Sequence, residues 1–329
     1  MTVQRSLDPP DDATYVTALP MLGSLRFEGP DAATFLQAQL SSDVRALTAG
    51  TLQRSSYVSP KGRVLASLLL WRTARADAGI GSLVSADLAA ATARRLAMFV
   101  LRAKVKVVDP GAYRARLGVA GAGAAAAVTA VLGRAPARGE ALDVDDAALL
   151  GLSDGRIVID VEAARADALR ASLAPHTRPG DEQAWQLAQV RSGVPLVSAA
   201  TADAFVPQAL NLDALDAVSF QKGCYPGQEI VARTQYLGRL KERLYAFRLH
   251  GPAPAPGTRL FADAFGDQPC GTVVNAAPVG ATGVELLAVA QRAADAEALH
   301  VGAPDGPLLE RIALPYPVPE PAQPRGRPA

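Results

Sequence analysis

Cysteine and histidine are scarce in this chain of 329 residues, with two of the first and three of the second. Cys224 and Cys270 are too few for a disulfide framework or a cysteine-ligated cluster. His176, His250 and His300 lie far apart with no ligand spacing between them, so no dedicated zinc site is expected. The shortage of histidine, with no GxSxG elbow, also argues against a serine-hydrolase triad. A phosphate-cradling P-loop motif is missing, which excludes that class of ATPase or GTPase. Charge of one sign is lacking too. A net charge of +1 offers no global field for nucleic acid, a membrane surface or an acidic partner. No apolar run approaches the ~20 residues of a spanning helix. The start, Met1 to Arg5 running into Asp8-Pro9-Pro10-Asp11-Asp12, has no signal-peptide character, so a cytoplasmic protein is expected.

A hydrophobic content of 49% with 20% charged residues is that of a globular chain, and the length favours two or three domains. Residues 1–13 and the proline-rich stretch 315–329 read as unpacked termini. Between them strand and helix signals alternate. Strands are expected at Gly23–Phe27, Tyr57–Ser59, Arg63–Trp71, Ile80–Val84 and Lys104–Val108, with a turn at Pro60-Lys61-Gly62. Helices are expected over Ala32–Leu40 and after Asp87, read as an N-cap. A second unit, 113–180, carries a strand at Arg116–Val119, an alanine-rich helix after Gly123, a strand at Gly155–Val161 and a helix over Glu162–Leu173. A further helix, Asp181–Ser192, stops at Gly193 and Pro195. From 241 to 314, short alternating stretches cut by Gly, Pro and Asp predict a small antiparallel β-barrel.

Two features invite over-reading. Gly118-Val119-Ala120-Gly121-Ala122-Gly123 precedes a helix, but its order is GxxGxG, not the dinucleotide fingerprint, and an ordinary turn explains it. Asp143, Asp145 and Asp146 form an acidic cluster that reads as a solvated loop.

The segment Lys222-Gly223-Cys224-Tyr225-Pro226-Gly227-Gln228-Glu229 is of another kind. Pro226 suits the first turn of a helix, which would set Cys224 just before a helix N-terminus with Lys222 two residues away. Dipole and cation together favour a thiolate, making Cys224 a candidate reactive thiol assisted by Lys222. Gly223 and Gly227 allow a tight turn that brings backbone N–H groups to a ligand. The bland reading, a buried cysteine beside a solvated lysine, stays open on these residues alone. Cys270, between Pro269 and Gly271, reads as structural.

The same segment, with Tyr225, Gln228 and Glu229 in place, resembles the KGCYxGQE signature of YgfZ-type folate-binding proteins, relatives of the glycine-cleavage aminomethyltransferase. Phe35 to Val44, Leu101-Arg102-Ala103-Lys104-Val105, Pro207 to Leu212 and Arg239-Leu240-Lys241 resemble further family blocks. The resemblance implies an α+β, three-domain cloverleaf around a central folate pocket, with the C-terminal small barrel. Residues 14–112 plus 181–240 would form the folate-binding domain and 113–180 an insertion. It implies tetrahydrofolate or a derivative as ligand, with Gln208, Asn211 and Arg63 as contacts, and no stably bound metal. It further implies iron–sulfur client or assembly proteins as partners, an indirect link to tRNA thiolation, no direct nucleic acid and a monomer. One departure separates it from the transferases: Ala66 and Ser67 stand where those enzymes carry an acid, and neither can act as a general acid or base. Ala209 likewise replaces a glutamate of related proteins. The alternative, a tetrahydrofolate-dependent aminomethyl or methyl transferase, would need an acid from elsewhere.

Overall fold

The computed structural model describes residues 13–73, 79–236 and 240–319. Three β-units carry the fold. In the first, an antiparallel sheet runs in the order Thr51–Val58, Val64–Arg72, Ile80–Ser85, Leu22–Glu28, Lys106–Val108. Helix Ala86–Ala97 covers it with Leu88, Ala89, Ala93 and Leu96. The strand expected from Tyr57 begins at Thr51. The added stretch, Thr51–Ser56, reads as polar, but its Ser55 and Ser56 are buried by pairing with other serines. Ser41 Oγ and Ser56 Oγ lie 2.8 Å apart, and Ser42 Oγ donates to Ser55 Oγ at 2.8 Å. Asp87 is not a cap. It sits inside the first turn, where its carboxylate accepts from Ser85 Oγ at 2.6 Å and from the Ala199 N–H at 2.9 Å. The helix expected to reach Leu40 ends at Gln37, and Leu40 instead bridges to Tyr57.

The second sheet runs Arg178–Pro179, Tyr15–Ala18, Arg114–Ala120, Ile157–Glu162, Ala147–Gly151, Ala141–Val144. Tyr15–Ala18, though it precedes the first unit in sequence, pairs here with both Arg178–Pro179 and Arg114–Ala120. The acidic cluster is the turn of a hairpin: Asp145 holds φ 53 between the strands, and Arg165 pairs with both Asp145 and Asp146. Gly121 and Gly123 serve close packing. A Cβ on Gly121 would stand 2.7 Å from the Ala13 carbonyl oxygen, and the Gly123 N–H donates to Thr14 Oγ1 at 2.8 Å.

The third unit is a closed barrel in the order Glu242–His250, Gly283–Gln291, Gly271–Val279, Arg259–Phe261, Leu299–Val301, Leu308–Ile312. Its interior is apolar, with Phe247, Leu249, Leu286 and Cys270 buried, so Cys270 is a core residue.

The units are fused through shared cores. The largest cluster joins the first sheet to the 190–217 segment and to barrel residues such as Leu244, Val274 and Leu287. Between the first and second sheets lie Leu19, Trp71, Leu83, Leu150 and Trp185. Fully buried Asp160 of the second sheet accepts from Arg26 of the first at 3.0 Å and from Arg114 at 3.1 Å. Helix Glu182–Arg191, capped by Asp181 accepting from the Ala184 N–H, reaches the barrel through Arg191 to Glu285 at 2.7 Å. Residues 315–319, expected with the unpacked tail, are tied down: Tyr316 Oη donates to the Gly193 carbonyl at 2.7 Å, and the Pro319 carbonyl accepts from Arg243. The rest of both expected termini, residues 1–12 and 320–329, lies outside the described residues, as does Arg239.

Candidate functional site

The signature loop is locked from two sides. Helix Gln228–Tyr236 starts two residues beyond Pro226, so Cys224 stands well ahead of the helix terminus. The gap is a turn at Pro226-Gly227, with Gly227 at φ +79. A Cβ there would lie 2.2 Å from the Ser59 carbonyl oxygen; one on Gly62, at φ +70, would lie 2.7 Å from Ile230 Cβ. The two glycines let the Pro60-Lys61-Gly62 hairpin turn and the loop mesh. Gly223, expected to do similar work, has open space around it. Tyr225 is buried in the main core, and burial pushes its hydroxyl up to about 12. Gln228 is half-buried, while Glu229 is exposed in the first helical turn, where its charge suits the dipole.

Lys222 is buried, not solvated. Its Nζ donates to the backbone carbonyls of Gln37 at 2.6 Å, Leu40 at 2.6 Å and Ser42 at 2.8 Å. These use all three N–H donors of an ammonium. The Tyr225 ring lies 5.1 Å away on the same cation. Burial pushes the Lys222 amine down to about 8, which still leaves the ammonium dominant at neutral pH. Cys224 is exposed, and no hydrogen bond joins it to Lys222 among the described residues. The lysine therefore pins the loop to the turn after the first helix.

Gln208 and Asn211 are fully buried struts. Gln208 Nε2 donates to the Val231 carbonyl at 2.8 Å, holding the signature helix. Asn211, in the left-handed region at φ 55 that asparagine tolerates, donates to the Leu244 carbonyl at 2.9 Å and so holds the first barrel strand. Arg243, paired with Asp213 at 2.6 Å, bonds the Gln208 carbonyl. Arg63 donates to the Ala204 carbonyl. None of Gln208, Asn211 and Arg63 lines the main cavity, and Ala209 is buried in the core.

That cavity lies between the first two sheets under helix Glu182–Arg191. An inner chamber of about 90 Å³ has walls from Leu68, Leu83, Val158, Trp185 and Leu196, with Ser55, Ser67 and Gln189 as polar points. It opens at Arg54, Ser153, Asp154 and Arg156 into a cleft of about 970 Å³, edged by Tyr316 beyond the barrel. Ser67 Oγ accepts from the Val197 N–H at 3.0 Å. Ala66 points into the core. Arg156 is fixed by Asp154 at 2.7 Å, by Gln189 Oε1 at 3.2 Å and over the Trp185 ring at 4.5 Å. Arg54 donates to Ser153 Oγ at 2.8 Å. Sequence reasoning singled out Ser67 but missed Arg54, Arg156, Trp185 and Gln189, which share no local motif. Chamber and signature loop are joined by a short relay: Ser55 in the wall accepts from Ser42, whose carbonyl accepts from Lys222. Among the described residues, no group of three His, Cys, Asp or Glu side chains could hold a metal ion.

Comparison with known proteins places this architecture. Aminomethyltransferase T of the glycine cleavage system from Bartonella henselae matches with a TM-score of 0.77 at 16% identity, over 94% of this chain and 88% of that one. The fold is thus that of the glycine-cleavage T protein. No family model matches the chain. Two curated relatives, each named tRNA-modifying protein YgfZ, come from Edwardsiella ictaluri and Serratia proteamaculans. The first is 35% identical over 229 residues, covering 68% of each chain; the second is 33% identical over 220 residues, covering 66% of each. The chain belongs to the YgfZ family.

Proposed function

We propose that this protein binds a reduced folate in the central cleft of about 970 Å³, against the chamber at its inner end, and, in the cytoplasm, supports the assembly or repair of iron–sulfur enzymes without itself transferring a one-carbon unit. The observation that carries the reading is the chamber wall. Apolar side chains and Trp185 close the inner end of the cleft, with Ser55, Ser67 and Gln189 as fixed polar points. Where a folate-dependent transferase would present an acid, the wall carries Ser67, whose oxygen is engaged by the Val197 N–H.

Asp154 is the one carboxylate lining the inner chamber among the described residues, and both its oxygens are committed. One accepts from Arg156 Nε at 2.7 Å, the other from the Arg156 backbone N–H at 3.2 Å. It is placed to orient Arg156, not to deliver a proton to substrate. The exposed Cys224 supplies a nucleophilic thiol outside the chamber, on a loop held by Lys222. That separation favours a protein that senses or stores a folate while its thiol meets partner proteins. No helix among the described residues is long and apolar enough to cross a membrane.

Two assays test the reading. Purified protein incubated with methylenetetrahydrofolate and an amine acceptor should give no one-carbon transfer, whereas robust turnover would restore the transferase alternative. In cells lacking the gene, the wild-type chain should restore iron–sulfur enzyme activity and Cys224→Ala should not.

A further inference from the structure

The turn that ends helix Ala86–Ala97 displays apolar side chains that no core uses. Met98 and Leu101 are 68% and 88% exposed, and Phe99 is 44% exposed. Val100, between Phe99 and Leu101, instead packs against the main core. Hydrogen bonds fix the backbone along the turn. The Phe99 N–H donates to the Leu96 carbonyl at 3.0 Å, the Ala103 N–H to the Val100 carbonyl at 2.8 Å, and the Lys104 N–H to the Asp31 carboxylate at 2.7 Å. An ordered turn, not a frayed end, holds the three side chains outward.

Leu101 sits at φ 45, in the left-handed stop that glycine ordinarily fills after a helix. The other non-glycine residues at positive φ among those described are Asp145, Asp203, Asn211 and Asp216, the types that tolerate it. The leucine is strained there and buries nothing in return. Strain kept without a folding gain points to a contact outside the fold.

Charge around this apolar triplet is one-sided. Arg94 and Arg95 lie one helical turn before Met98 and Phe99, Arg102 and Lys104 follow, and all four are exposed. None of the four forms an ion pair among the described residues. Asp31 is the acid that meets this turn, through the Lys104 backbone, while Lys106 has Glu28 as its cross-strand partner. An apolar centre inside a charged rim is the anatomy of a protein interface, and a rim of one sign selects a partner of the other. An extended anionic surface, membrane or nucleic acid, fits less well, because acids outnumber bases in the rest of the chain.

We infer that this face docks an acidic protein surface with an apolar pocket that receives Leu101. The inference stands apart from the folate reading, since none of these residues lines the chamber or the cleft.

The test places the photo-crosslinking residue benzoylphenylalanine at position 98 of the full chain, in cells lacking the gene. Irradiation should give one dominant protein adduct whose crosslinked peptide is rich in Asp and Glu. Arg102→Glu with Lys104→Glu should cut its yield about tenfold, and changing the crosslinked acids of the partner to lysine should recover it. Leu101→Gly should unfold at a higher urea concentration than wild type, because glycine relieves the backbone, and should also lose most of the adduct. A lower urea midpoint for Leu101→Gly makes the leucine structural and overturns the inference. So does the lack of any adduct, an adduct with lipid or RNA, or a yield that charge reversal leaves unchanged.

Discussion

Replacing Lys222 by methionine keeps the length and apolar stem of the side chain while deleting its charge and its three donors. In the folded protein those donors reach the carbonyls of Gln37, Leu40 and Ser42 at 2.6 to 2.8 Å in a buried setting. Leaving a buried acceptor without its partner costs about 1 kcal/mol at the low end of the measured range. Three such losses, partly offset because no ammonium need be desolvated, give an expected destabilisation of about 2–4 kcal/mol. Lys222→Arg restores the charge, but a planar fork cannot aim three donors at carbonyls converging on one point, so we expect only partial recovery. Urea denaturation reads the global term. The rate at which a thiol reagent labels Cys224 reads local release of the loop, and it should rise in both variants. If Lys222→Met loses less than about 0.5 kcal/mol, the scale of an ordinary surface substitution, and labels at the wild-type rate, the pin does not exist.

Gly227→Ala should cost more than about 2 kcal/mol, because φ +79 and the Ser59 carbonyl 2.2 Å from the new Cβ act together, whereas Gly223→Ala in open space should stay within about 0.5 kcal/mol; denaturation midpoints decide. Cys224→Ala removes an exposed side chain and should unfold at the same urea concentration as wild type while failing to support iron–sulfur enzymes in cells. Burial raises the Glu285 carboxyl, yet Arg191 and Arg248 outweigh it and hold the group below its ordinary value of 4.5. The folded state therefore binds this proton more weakly than the unfolded chain. The stability it contributes is full above 4.5 and is lost as pH falls through the lowered value, a slope that Glu285→Gln should flatten in pH-dependent melting.

What could be read from the sequence was whatever is local in it. The signature block, the Pro60-Lys61-Gly62 turn and the helix that stops at Gly193 are runs of adjacent residues whose chemistry does not depend on distant chain. The role of Lys222 was hidden because its acceptors lie about 180 residues upstream. The stretch Thr51–Ser56 of strand Thr51–Val58 was hidden because half-buried Gln53 and Arg54 and the mutually satisfied, buried Ser55 and Ser56 mimic a polar surface. The acidic hairpin turn at Asp145 concealed two strands, and Tyr15–Ala18 joined a sheet whose other members begin about a hundred residues later. The family resemblance implies Gln208 and Asn211 as ligand contacts, and nothing in the sequence around them tells a contact from a buried strut. Their full burial against the Val231 and Leu244 carbonyls makes them struts. Arg54, Arg156 and Trp185 come together only when two sheets close on one helix, which no spacing rule anticipates.

The central claim is that the central cleft, closed at its inner end by Trp185, takes a reduced folate, and a calorimetric titration of tetrahydrofolate into the purified protein tests it most directly. The account predicts saturable binding at one site per chain, with Trp185 fluorescence quenched in parallel. No heat and no quenching up to millimolar tetrahydrofolate would contradict it.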